Sequence, residues 1–155
     1  MDLRGPAITD RVWASLPYLL PLVDGVLFGE YLFRQFPALQ IFLVPLAPLM
    51  VLNSGFFGLI VFFLIFLLVV RNSNINRFIR FNAMQAILLD IVLIICRVVL
   101  QILGPTLQGG LIIETLMNVV FLGMLAAVVY SVVQTVRGEY AEIPTISEAV
   151  HMQVR

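Results

Sequence analysis

The sequence has no lysine, a single cysteine and little charge of either sign. Charged residues make up 12% of its 155 residues, whereas about 25% is usual in soluble domains. Nine arginines and nine acidic residues cancel to a formal net charge of zero. This composition excludes a soluble globular enzyme, a disordered tail and a free nucleic-acid-binding domain, which would need a basic surface.

Motifs for catalysis and metal binding are absent as well. Cys96 lies alone in an apolar run, so the sequence offers neither a disulfide nor a CxxC metal or redox site. The patterns HExxH and GxSxG, the P-loop and the dinucleotide-binding glycines do not occur. We therefore expect no enzymatic activity, no cofactor and no bound metal. The first apolar stretch lacks a basic n-region and a cleavage site, so we expect it to stay in the mature protein.

Apolar residues dominate instead, at 61% of the chain with a mean hydropathy of +1.06. A helix rises about 1.5 Å per residue and the hydrocarbon core is about 30 Å thick, so a transmembrane helix needs roughly 20 residues. The sequence predicts an all-α, polytopic membrane protein whose transmembrane domain is residues 1–138. We expect four transmembrane helices, followed by a short polar tail: about residues 12–33, 51–70, 81–103 and 111–136, and then 139–155.

The uncharged run at residues 35–70 is too long for one span, because as a single helix it would be about 54 Å long. Prolines interrupt it, since each lacks an amide donor and disfavours helix at the residue before it. We therefore expect a Pro-rich interfacial or re-entrant segment at 36–50, ahead of the second span. In the alternative, this segment crosses separately and the run holds two spans with almost no turn. The prolines are Pro37, Pro45 and Pro48.

Short polar motifs mark the expected helix ends. Asn53-Ser54-Gly55 is a helix-break or helix-start signal. Residues 74–80 read as an amphipathic lead-in to the third span, with Ser73 or Asn74 as its N-cap. Downstream signals are a stop at Gly104-Pro105, a tight turn at 108–110 and a C-cap glycine at Gly138. We expect the tail beyond it to be disordered or to form one short helix on the membrane surface.

Arginine distribution predicts the orientation, because positive charge is retained on the cytoplasmic side. In a four-span chain, both termini and the loop at residues 71–80 share one side. That side holds seven of the nine arginines, and the opposite side holds only Arg34. We therefore expect both termini in the cytoplasm, or in the stroma of a plastid. The seven are Arg4, Arg11, Arg71, Arg77, Arg80, Arg137 and Arg155.

Several polar side chains fall inside the expected spans, where a charge costs roughly 2.5–3.5 kcal/mol at the helix centre. Two interpretations stay open for them. They hold the bundle together through hydrogen bonds, at about 0.6 kcal/mol each, or they form a polar path or substrate contact between the third and fourth helices. The positions of interest are Asp24, Asn82, Gln85, Asp90, Arg97, Glu114 and Asn118.

Charge balance suggests a pairing within this set. Estimated depths place Arg97, Glu114 and Asp24 in the same outer half of the membrane, so we expect Arg97 to pair with one or both carboxylates. Asp90 lies nearer the midplane, on roughly the same face of its helix as Arg97. Three carboxyl groups against one guanidinium leave a buried acidic excess, so we expect either a protonated carboxyl group, that of Asp90, or a neutralising partner.

Two stretches resemble a known family. They are Tyr18-Leu-Leu-Pro-Leu-Val-Asp-Gly25 and the block Arg80-Phe-Asn-Ala-Met-Gln-Ala-Ile-Leu-Leu-Asp90. The chain is similar over nearly its whole length to the twenty-kilodalton subunit of the chloroplast inner-envelope protein translocon, the Tic family. The Phe-Asn-x-x-Gln-Ala-x-x-Leu-Asp pattern is the most specific part. Since no transit peptide is evident, the resemblance is to cyanobacterial or plastid-encoded members.

The resemblance implies a membrane component of protein translocation in a plastid inner envelope, or in a cyanobacterial plasma or thylakoid membrane. It implies no catalytic residues. The expected partners are the lipid bilayer, other translocon subunits, a translocating precursor polypeptide and further copies of the chain, with no nucleic acid. Two alternatives stay open: a small-solute channel or transporter, and a non-catalytic assembly factor for membrane complexes. Four helices pack around a filled core, so we expect no continuous pore within one chain.

Overall fold

The computed structural model describes residues 5–107 and 110–154, and within them all regular structure is helical. Three helices are long and apolar enough to cross a membrane: Ile8–Gln35, Arg77–Leu103 and Leu111–Val136. A fourth apolar helix, Phe56–Val70, is shorter. The predicted all-α class is confirmed, together with three long candidate spans at the first, third and fourth expected positions.

The first span is a helix interrupted by tighter turns. Pro17 and Pro21 each lack the amide hydrogen of an i to i−4 bond, so the chain tightens locally into 3₁₀ geometry around Pro17. A second 3₁₀ turn at Val26–Gly29 precedes the last part of the span. The α-helical parts are α1 (Ile8–Ser15), α2 (Leu19–Gly25) and α3 (Glu30–Gln35).

The Pro-rich segment is helical, and the second expected span is shorter than predicted. The segment is a 3₁₀ helix, Pro37–Leu43, followed by α4 (Ala47–Leu52). The chain breaks at the predicted signal Asn53–Gly55, where Gly55 adopts a φ of +57°, so the helix in the second expected span begins at Phe56 rather than near residue 51. Helix α5 (Phe56–Ile65) then runs into a π-helical turn, Phe66–Val70. Together they are about 22 Å long, less than the hydrocarbon thickness.

Helix α6 (Arg77–Leu103) begins later than predicted. The Asn76 side chain accepts a hydrogen bond from the Phe78 amide at 2.9 Å and is the N-cap. Neither Ser73 nor Asn74 caps the helix; the Asn74 amide is instead held by the Asn72 side chain in the preceding turn. The amphipathic lead-in is therefore helical only from residue 77. The turn predicted at 108–110 falls partly outside the described residues.

Helix α7 (Leu111–Val136) ends as predicted, since Gly138 follows it with a φ of +81°. The C-terminal tail packs against the bundle over the residues that the structure describes. It turns back and forms α8 (Ile146–Gln153), and Val150 and Val154 are fully buried against α6. Apolar side chains four residues apart explain the docking, because they share one face of a helix.

Several helix ends meet at one end of the bundle, which we call the α8 end. The Arg80 side chain donates to the carbonyl of Val70, and that of Arg11 donates to the carbonyl of Val136. Asn76 donates to the Asp10 carboxylate. The starts of α1 and α6 therefore lie beside the ends of the π turn and α7.

Candidate functional site

The polar side chains inside the bundle form two groups of different character. One group is fully buried and extensively hydrogen-bonded near the α8 end, and we call it the closed network. The other surrounds a cavity between α2, α5 and α6, which we call the open cavity. The closed network consists of Tyr18, Asn82, Gln85, Ser131, Thr135 and Ser147, and the polar side chains of the open cavity are Asp24, Asn53, Asp90 and Arg97.

Asn82 joins three helices of the closed network. Its side-chain oxygen accepts from the Tyr18 hydroxyl at 2.7 Å and from the Thr135 hydroxyl at 2.8 Å. Its amide donates to the carbonyl of Phe78, one turn earlier in α6, at 2.9 Å. The first span, α6 and α7 are thereby connected through one fully buried side chain.

Gln85 extends the network to the C-terminal segment. Its amide nitrogen lies 3.1 Å from the Tyr18 hydroxyl, 3.3 Å from the Ser131 hydroxyl and 3.0 Å from the carbonyl of Ala141. Its side-chain oxygen accepts from the Ser147 hydroxyl in α8 at 2.8 Å. Within the described chain, no buried side-chain nitrogen or oxygen of the closed network lacks a partner.

Sequence reasoning identified Asn82 and Gln85 but missed their partners. Tyr18 belongs to a stretch that resembles the family, but the sequence gives no reason to expect its hydroxyl to bond to α6. Serine and threonine inside apolar helices are common and indicate no particular contact. The spacing of Ser131 and Thr135 does place them on one face of α7. Nothing in the sequence of the tail indicates that Ser147 reaches the membrane domain.

The open cavity has a volume of about 140 Å³ and contains two of the predicted acidic residues, Asp24 and Asp90. Asp90 is 2% exposed, whereas Asp24 is half-buried. The two carboxyl groups lie within interaction range of each other, and Arg97 lies within range of Asp90. Asn53, from the break before α5, donates to the Asp24 carboxylate at 2.6 Å. The cavity therefore brings together residues from the first span, α6 and the helix break.

Two acceptor atoms at the open cavity lack a donor. Oδ1 of Asp90 and Oδ1 of Asn53 are both buried, and neither has a hydrogen-bond partner among the described residues. Buried polar atoms are usually satisfied, and an unpaired one costs about 1–3 kcal/mol. Chemically, this cavity is suited to binding a group that donates hydrogen bonds.

The remaining predicted positions lie elsewhere. Among the described residues, Arg97 makes no ion pair within 4.0 Å with Asp24 or Glu114, so the expected direct pair does not form. The reason is placement: Glu114 is half-buried in the first turn of α7 and does not line the open cavity. Asn118, one turn further along α7, has a buried side-chain oxygen without a described partner.

Comparison with known proteins identifies the family. The model of the family described as "Chloroplast import apparatus Tic20-like" matches residues 4–150. A "Tic20 family protein" of Synechocystis sp. is 48% identical over 149 residues, which cover 94% of this chain and 93% of the relative. The "Tic20 family protein Ycf60" of Porphyra purpurea is 32% identical over 152 residues, covering 93% of this chain and 75% of the relative.

A third similar protein is "Protein TIC 20-v, chloroplastic" of Arabidopsis thaliana, 32% identical over 149 residues. That match covers 94% of this chain and 71% of the relative. The relatives thus include cyanobacterial, plastid and plant proteins, and the resemblance seen in the two sequence blocks is confirmed. With its long apolar helices, the chain is an integral membrane protein and belongs to the Tic20-like family of the chloroplast import apparatus.

Proposed function

We propose that the chain is an integral membrane subunit of a protein translocon and contributes to protein import or translocation across a cyanobacterial or plastid-type membrane. The observation that carries the proposal is the family match over residues 4–150, which spans α1 to α7 and reaches into α8. Its partners in this role are other translocon subunits, the lipid bilayer, further copies of the chain and the translocating precursor.

The proposed topology has four crossings with both termini on the cytoplasmic or stromal side. The meeting of helix ends at the α8 end supports it, because Asn76 contacts Asp10 and Arg80, one turn further on, contacts Val70. The second crossing is broken: the Pro-rich segment lies in the outer half, and Phe56–Val70 completes the path. Arginine distribution gives the side, since positive charge is retained in the cytoplasm.

A precursor polypeptide would pass beside this chain rather than through it. Buried side chains and the closed network occupy the space where the first span, α6 and α7 meet. Gly29 shows how tight that packing is, because a Cβ built there would lie 2.8 Å from the Phe121 ring. Apolar grooves instead flank the outside of the first span, and one of about 370 Å³ lies between it, the Pro-rich segment and α7.

Site-specific photo-crosslinking in native membranes tests the proposal. A benzophenone amino acid at Phe42, 69% exposed in the Pro-rich segment, is expected to form adducts with a stalled precursor. Leu122 is the matched control, because it is also an exposed apolar residue, 55% exposed on α7. We expect at least several-fold more precursor adduct at Phe42 than at Leu122.

Two results would contradict the proposal. Adducts at Phe42 with resident membrane proteins alone, while precursors are being translocated, would indicate an assembly factor. Uptake of a small solute by the purified chain, without any precursor adduct, would indicate a transporter.

A further inference from the structure

The open cavity has hydrogen-bonding capacity that the described chain does not use. Asp90 is 2% exposed, its Oδ1 atom has no partner, and the residue lines the cavity. The buried Oδ1 atom of Asn53 is likewise unpaired at the same cavity. Both atoms are acceptors, so the group that satisfies them must be a donor.

The size and the walls of the cavity indicate that it holds water. A water molecule occupies about 30 Å³ in the liquid, so about 140 Å³ accommodates roughly five. The wall includes the break before α5, where Asn53 and Gly55 are outside any helix. Non-helical backbone at membrane depth is tolerated where it is buried in protein or lines a water-filled space. Gly55 and Leu59 are exposed, so the cavity opens to the surface of the chain.

Formal charge selects the kind of donor. The carboxyl groups of Asp24 and Asp90 line the cavity in contact with each other, and the cation that lines it with them is Arg97. Arg97 makes no ion pair within 4.0 Å among the described residues, so it leaves both carboxyl groups without a direct ionic partner. When both carboxyl groups are ionised, one formal negative charge remains, and a shared proton or a cationic donor neutralises it. Of the two, the cationic donor also supplies hydrogen bonds to the two unpaired oxygens.

We propose that the open cavity is a hydrated intramembrane site for a cationic hydrogen-bond donor, a primary ammonium or guanidinium group. Its ligands are the carboxyl groups of Asp24 and Asp90 and the side-chain oxygen of Asn53. The site does not depend on the proposed function. The role of the site does depend on the proposed function: in a translocon, the occupant is the lysine or arginine side chain of a polypeptide that lies beside this protein.

Cysteine reactivity tests the site without any translocation. In the full chain reconstituted in lipid vesicles, Cys96→Ala removes the native thiol, and Ile94→Cys places one at the cavity wall. Ile95→Cys is the matched control, being the next residue of α6 at the same depth but 56% exposed on the outside. Methanethiosulfonates react with thiolates, which form in water and not in lipid. We expect at least tenfold faster modification of Ile94→Cys than of Ile95→Cys.

The charge preference is the second readout. The trimethylammonium reagent is expected to react with Ile94→Cys at least fivefold faster than the sulfonate reagent. Adding Asp90→Asn should remove most of that preference while the thiol stays reactive. Equal, slow modification of both cysteines would show that the cavity is dry, and equal rates with the two reagents would show no cation preference. Either result overturns the proposal.

Protection experiments separate the two sources of the cationic group. A transmembrane model peptide with one central lysine is expected to protect Ile94→Cys, and the same peptide with norleucine at that position is not. Protection by free methylammonium alone would assign the site to small cations and leave the proposed translocon function standing. Protection by neither probe would overturn the site itself.

Discussion

The closed network and the open cavity are only about two turns of α6 apart, yet they treat polar atoms in opposite ways. Asn82 and Gln85 are fully buried, and every polar atom of their side chains has a partner from a neighbouring helix or from their own. Asp90, almost equally buried, keeps an oxygen without one. Burial alone therefore does not separate these two regions; the completeness of their hydrogen bonding does.

This difference divides the polar residues of α6 into two groups, Asn82 with Gln85 and Asp90 with Arg97. Near the α8 end, polar side chains fix the first span, α7 and the C-terminal segment against one helix. Further along α6, Asp90 and Arg97 face the helix break at Asn53–Gly55 instead of a packed helix, and an oxygen of Asp90 has no hydrogen-bond partner there. We assign a stabilising role to the closed network and binding to the open cavity.

The largest expected effect comes from breaking the closed network at its centre. Gln85→Leu removes the amide that reaches Tyr18, Ser131 and Ala141 and the oxygen that holds Ser147. Because partners are left buried and unpaired, we expect the free energy of unfolding to fall by about 2–3 kcal/mol. Unfolding by SDS in mixed micelles measures it.

Gln101→Leu is the matched control for that variant. It makes the same chemical change on the same helix, but Gln101 is exposed, so we expect a change within about 0.5 kcal/mol. Equal losses in the two variants would show that the network contributes no specific stability. Protease sensitivity of the C-terminal segment should rise in Gln85→Leu only, because Ser147 then loses its partner in α6.

A much smaller effect on stability is expected from Asp90→Asn. The side chain keeps its shape, and Asp24 remains to balance Arg97, so no uncompensated charge is left behind. We expect the free energy of unfolding to change by less than about 1 kcal/mol. The same assay measures it, and a loss as large as that of Gln85→Leu would mean that Asp90 is structural, which removes the distinction between the two regions.

The sequence was sufficient for the helical class, the three long spans and the polar face of α6, because hydropathy and periodicity are local properties. It was not sufficient for the second crossing, where the Asn53–Gly55 signal marks a break whose position in space depends on how the Pro-rich segment packs. The position of the tail also depends on tertiary contacts. Its composition is polar overall, but Val150 and Val154 are apolar and pack into the bundle.

Pairing inside the membrane was the hardest feature to predict. Position along the helices predicts a similar membrane depth for Arg97 and Glu114. An ion pair also requires that the two side chains point towards each other at that depth. Glu114 does not line the cavity that contains Arg97, whereas Asn53, known only as a helix-break residue, does. Serine and threonine partners are hard to predict for a different reason, because a hydroxyl in a helix can bond to its own backbone. The Thr135 hydroxyl shares its one hydrogen between Asn82 and the carbonyl of Ser131 in its own helix.

Water contact at side-chain amides tests the central comparison most directly. Water-edited solid-state NMR of the labelled chain in lipid bilayers reports how quickly water polarisation reaches each amide nitrogen. The account predicts rapid transfer to Nδ2 of Asn53, beside the open cavity, and transfer several-fold slower to Nδ2 of Asn82 and Nε2 of Gln85 in the closed network. Equal transfer at all three nitrogens would contradict it.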